Sequence, residues 1–143
     1  VRQKILIVDG HSMIFASPDL QALHQRNTAV ARETLVRMLT SLQDSSDWTV
    51  AVVFDGKGVK ASSDGMPNGI PVFYSKSGQT ADSLIERLAA KYASEHAVYV
   101  ATNDNMERTT VEAFGCESMS AEQLFSEIQQ KSAALQDRIR KMS

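Results

Sequence analysis

Three short apolar runs, KILIVD (residues 4 to 9), VAVVFD (50 to 55) and VYVATND (98 to 104), each end on or just before an aspartate. They are rich in β-branched residues and nearly continuous in apolar character, as suits strands buried on both faces of a sheet. Helical patterns separate them. In Thr28 to Leu42, the residues Ala31, Leu35, Met38, Leu39 and Leu42 recur at three- and four-residue spacing, whereas Arg32, Glu33 and Arg37 fall off that stripe. Similar stripes run through Ala81 to Ala93, Met106 to Phe114 and Ala121 to Ile139. Strands are expected at Lys4 to Val8, Thr49 to Phe54, Ile70 to Tyr74, Ala97 to Ala101 and Cys116 to Met119. Such alternation predicts an α/β fold with a mostly parallel central sheet of four to five strands and helices on both faces.

A chain of 143 residues accommodates one sizeable core, so a single domain over residues 1–143 is expected. The formal charge of −2 argues against a broad basic field that holds nucleic acid by phosphate neutralisation alone. Any nucleic-acid contact must be local. The single cysteine, Cys116, allows no intramolecular disulfide and reads as a buried structural thiol. No apolar run approaches a membrane span and no signal-peptide pattern opens the chain, so a cytoplasmic protein without membrane contact is expected.

If all strands point the same way, Asp9, Asp55 and Asp104 emerge at one sheet edge, where open α/β sheets bind ligands. SGQTADSLIERLAAKY adds a fourth acid. There Thr80 reads as an N-cap and Asp82 falls in the first helical turn, with Glu86 one turn later on the same side. Each aspartate alone could be a helix cap, a dipole partner or a turn former. Together at one edge they would repel one another unless protons or a divalent cation intervened. Oxygen ligands suit Mg²⁺ or Mn²⁺, and no His/Cys cluster favours zinc. His11 adjoins this edge; His24 and His96 read as surface or packing residues. The irregular stretch GKGVKASSDGMPNG, residues 56 to 69, lacks Walker A spacing and reads either as a solvated connection or as a substrate-facing loop. In the second case Lys57 and Lys60 are phosphate contacts.

The ordered series ILIVDGHSMIF, VARETLVRML, VVFDG, GIPVFYSKSGQTADSLIERL, VATND and MSAEQL resembles the YacP-like NYN domain family of PIN-like ribonucleases over nearly the whole chain. The DGHS turn is also similar to the opening of bacterial polymerase-associated 5′-nuclease domains, which are larger and carry a helical arch for which this chain has no room. The family resemblance implies a PIN-like three-layer fold and a metal-dependent endoribonuclease. It carries the metal positions to Asp9, Asp82 and Asp104, and a further catalytic acid to Asp55. Two departures stand out: Ser12 replaces an asparagine common in the family, and Asn103 replaces a serine before the last aspartate.

On this reading Mg²⁺ or Mn²⁺ activates a water for in-line attack on RNA, leaving a 5′-phosphate and a 3′-hydroxyl. His11, Ser12, Lys57, Lys60, Lys76 and Asn103 are the expected substrate-binding residues. The expected partner is single-stranded RNA, either free or presented by an assembly such as the ribosome. The alternative is a catalytically inactive PIN-like RNA-binding or protein-interaction module. A receiver-like phosphoacceptor domain ranks behind both, because no clear lysine follows a late strand at the same edge.

Overall fold

The computed structural model describes residues 2–56 and 69–142. Its centre is β1 (Lys4–Asp9), flanked in parallel by β2 (Trp48–Phe54) and β4 (Ala97–Ala101). The edge strands β3 (Val72–Tyr74) and β5 (Glu117–Met119) complete a five-stranded parallel sheet in the order β3-β2-β1-β4-β5. Adjacent β1 residues serve opposite faces, since Leu6 and Val8 enter one core cluster while Ile7 enters the other. Burial on both sides is why these runs are apolar at every position instead of alternating.

One face is covered by α1 (Gly10–Ala16), α2 (Pro18–Arg26), α3 (Thr28–Asp44) and α6 (Ala121–Met142), whose Met13, Leu20, Leu35, Leu39 and Leu124 join Leu6, Val8, Val50 and Val52. The opposite face takes α4 (Ala81–Tyr92) and α5 (Asn105–Ala113), whose Leu84, Ile85, Ala89 and Val111 pack on Ile7, Val53, Val98 and Val100. Cys116 is buried in this second cluster. The expected α/β architecture with a parallel sheet and helices on both faces is therefore the one observed.

The strand ends differ modestly from the sequence reading. Val72 and Glu117, not Ile70 and Cys116, open the two edge strands. The larger difference lies between Gly10 and Arg26, where hydrophobic spacing indicated no element and the chain forms two helices. With seven residues α1 is too short to display a stripe, and its end is set by Pro18. Proline disfavours the helical region for the residue before it, so Ser17 is extended at φ −112° and ψ 119°. Ser17 then caps α2, with its Oγ accepting from Leu20 N–H at 3.2 Å.

The chain runs β1, β2, β3 toward one side of the sheet, then crosses to β4 and β5 on the other. The reversal lies between β1 and β4. A crevice opens above the carboxyl ends of such a strand pair because the connections leave in opposite directions.

Candidate functional site

Asp9 ends β1 and caps α1. Its Oδ1 accepts from the backbone N–H of His11 at 3.2 Å and of Ser12 at 3.4 Å. Its Oδ2 accepts from the hydroxyls of Ser12 at 2.8 Å and Thr102 at 2.9 Å. Four donors thus hold a carboxylate that is only 5% exposed, which is how so buried a charged group is accommodated. Gly10 is required for the turn, because a Cβ there would overlap the Phe54 ring. The second Asp-Gly pair has a similar cause, since a Cβ on Gly56 would collide with the Ser75 carbonyl.

The two hydroxyls also join Asp9 to the turn after β4. Ser12 Oγ accepts from Asn103 N–H at 3.0 Å, and Thr102 Oγ1 accepts from Asp104 N–H at 3.2 Å. Each hydroxyl therefore accepts a hydrogen bond from a backbone N–H and donates one to Asp9. Beyond the paired strands these bonds tie the turn after β4 to Asp9, and with it the place of Asp104, which caps α5 by accepting from Met106 and Glu107 N–H at 3.0 and 3.3 Å. Thr102 is fully buried, so Thr102→Val keeps the shape while orphaning the Asp104 N–H and removing one Asp9 donor. A loss of about 1–3 kcal/mol is expected, read as a lower urea midpoint at unchanged slope.

Asp82 arrives from the first turn of α4, where Thr80 Oγ1 accepts from Ser83 N–H at 3.0 Å. Burial, then the charges of Asp9, Asp104 and Glu86, push the Asp82 carboxyl above the ordinary range, while His11 pulls it down. Sequence reasoning missed one acid of this cluster. Glu107 sits three residues after the Asp104 cap, where a capping-box glutamate would reach back to the cap's own N–H. That N–H is already taken by Thr102, and Glu107 turns inward, 4% exposed, toward Asp82 and Glu86. Burial, then Asp82 and Glu86, a hydrogen bond with Glu86, and Asp104 raise its pKa to about 8. Its Oε1 is buried without a hydrogen-bond partner among the described residues.

Asp9, Asp55, Asp82 and Asp104 line one cleft of about 600 Å³, together with His11, Ser12, Phe15, Thr80, Ala81 and Asn103. Among the described lining residues none is lysine or arginine. Lys57 and Lys60 lie outside the described residues. Lys76 is exposed and its backbone N–H donates to Gln79 Oε1 at 3.1 Å; it is not among the cleft residues. Asn103 lines the cleft, but its side chain faces α6, with Oδ1 accepting from Ala121 N–H at 2.8 Å and Nδ2 3.4 Å from Glu122 Oε2. His24 packs edge-on against Phe15, and His96 Nδ1 accepts from Gln3 N–H at 3.1 Å.

The donor set is all oxygen, which suits a hard divalent cation. Among the described residues no group of three His, Cys, Asp or Glu is close enough to hold one ion directly. A Mg²⁺-type ion that keeps its waters needs only one or two direct carboxylates, and the mutual repulsion and unpartnered Glu107 oxygen are what an added positive charge relieves.

The model of the YacP-like NYN domain matches residues 6–143. The YacP protein of Bacillus subtilis (strain 168) is 32% identical over 141 residues, spanning 97% of this chain and 83% of that one. Two crystal structures of Rae1 (YacP) from Bacillus subtilis are similar to this fold, each with a TM-score of 0.83 and 96% of this chain covered. One, at 32% identity, is covered over 80% of its length, and the other, a tryptophan-to-leucine mutant at 30%, over 82%. A parallel sheet with helices on both faces, an acidic cleft at its reversal point and a match over nearly the full length meet in one assignment: this chain belongs to the YacP-like NYN domain family.

Proposed function

We propose that this protein is a metal-dependent endoribonuclease acting in the cleft between the ends of β1 and β4. The observation that carries the reading is the meeting of Asp9, Asp55, Asp82 and Asp104, from four separate segments, in one cleft where burial and then the charges of Asp9, Asp104 and Glu86 push the Asp82 carboxyl up. A merely capping aspartate has no need of such neighbours. Membership of an NYN family, PIN-like in kind, supports nuclease chemistry at that place.

Asp9, Asp82 and Asp104 are the residues that would hold Mg²⁺ or Mn²⁺. When bound, the ion supplies charge neutralisation at the scissile phosphate and activation of water for in-line attack. Asp9 is the fixed point of the site, since four hydrogen bonds leave its carboxylate one orientation. Ser12 and Thr102 hold Asp104 in register with it. Asp55, on the β2 side of the cleft, orients the attacking water. Water adds to phosphorus as the bond to the 3′-oxygen breaks, so the fragments carry a 5′-phosphate and a 3′-hydroxyl. The substrate proposed is RNA, free or presented by the ribosome.

The test is incubation of purified protein with a mixed RNA pool, and with ribosome-bound RNA, in Mg²⁺, Mn²⁺ and chelator, followed by sequencing of the new ends. Internal cuts with 5′-phosphates that vanish in chelator are expected. Intact RNA in all arms would leave a binding module as the better reading. Cuts that persist in chelator, or that carry 2′,3′-cyclic phosphates, would overturn the mechanism.

A further inference from the structure

We infer that Phe15 and His11 form a stacking platform for one nucleobase of single-stranded RNA, beside the aspartates that would hold the ion at the reacting phosphate. This rests on the ribonuclease reading and names how that site grips its substrate. Phe15 is 44% exposed although it lines the acidic cleft, and His11 is exposed next to it. The two rings lie 4.5 Å apart between centroids at a 35° tilt, one helical turn from each other along α1. His24, from α2, meets the Phe15 ring edge-on at 5.2 Å and 69°. A lone exposed aromatic is ordinary on a protein surface. One oriented by two neighbouring rings in a ligand-sized cleft is already placed to receive a third planar group.

Charge decides what that group must supply. The cleft's described walls carry four aspartates and no lysine or arginine, and the whole chain is at −2. The described walls therefore offer phosphate no attraction of their own, and a contact indifferent to charge is what they can add to affinity. Base stacking on an aromatic ring is such a contact, and it is sequence-tolerant because every base has a π face. The geometry adds a register. Phe15 is six residues beyond Asp9 on a helix that Asp9 itself caps, about 9 Å along the axis, so the stacked base belongs to a nucleotide within one or two of the reacting phosphate. Paired bases are shielded by their own stack, which makes the platform selective for single strands.

The full chain is titrated into short single-stranded RNAs that carry one 2-aminopurine at successive positions, in chelator and in Ca²⁺. Wild type should quench the probe at one position. Phe15→Leu, which keeps an apolar side chain for folding but has no π face, should abolish the quench and weaken binding about 5- to 150-fold, whereas Phe15→Trp should retain both. An abasic nucleotide at that position should weaken wild type equally and add nothing to Phe15→Leu. Equal binding and quenching by wild type and Phe15→Leu overturn the platform, as does an abasic penalty that persists in Phe15→Leu. If wild type binds no single strand in either condition the platform also falls, while the ribonuclease reading stands or falls separately on the mixed-pool cleavage assay.

Discussion

Asp82→Asn is expected to lose metal-dependent cleavage by more than about 100-fold, the upper end of what removing an outer partner of a metal ligand costs. The substitution keeps the side chain's shape and place in α4 while removing one negative charge. Its effect on the metal-free fold should have the opposite sign. An aspartate in a first turn gains about 0.3–1 kcal/mol from the helix dipole. Here burial and the charges of Asp9, Asp104 and Glu86 outweigh that gain, because the Asp82 carboxyl is driven above its ordinary range. Removing the charge therefore leaves the metal-free thermal midpoint unchanged or higher, and adding Mn²⁺ raises it less than in wild type. A variant that cuts RNA at the wild-type rate would remove Asp82 from the site. One that loses activity and unfolds alike would mean a structural role only.

The second large effect is a fall in metal-free stability with rising pH, centred on Glu107. Its carboxyl titrates near 8 in the fold against an ordinary value of 4.5. Between those values the native chain holds a proton that the unfolded chain has released. Stability contributed by this group is complete below about pH 4.5 and declines until the pH has passed through about 8. Glu107→Gln mimics the protonated form, so it should remove that slope and stabilise the metal-free protein at pH 9 by roughly 1–3 kcal/mol, the cost of burying an imperfectly paired charge. Thermal midpoints of both proteins from pH 5 to 9 give the comparison. A divalent cation should flatten the wild-type slope, since it replaces the proton as the neutralising charge, and its binding at pH 7 should release protons. Parallel slopes for wild type and Glu107→Gln would show that another group titrates.

Sheet and helices were legible where a single periodicity ran long enough. The run from Ile5 to Val8 announces a strand buried on both faces, and the stripe of Ala31, Leu35, Leu39 and Leu42 announces α3. The positions of Asp9, Asp55 and Asp104 followed from the direction of parallel strands, since each ends or follows an apolar run and all parallel strands leave the sheet at one edge. Helix α1 was illegible because seven residues between a cap and Ser17-Pro18 leave too little chain for a period to repeat.

Sequence order thus determined which carboxylates share an edge, because strand direction and helix starts are local properties that the chain carries wherever it folds. Only the tertiary structure decided how those carboxylates are held and which further groups join them. Thr102 is 93 residues from Asp9 and 90 from Ser12, and its links to both exist because β1 and β4 become neighbours. Glu107 reads locally as a capping-box residue, yet the Asp104 N–H it would serve is already bonded to Thr102, and its carboxyl turns instead toward α4. The physical reason is competition: a hydrogen bond or a burial site offered by a distant element takes the place of the nearby one, and no local pattern records which of the two prevails.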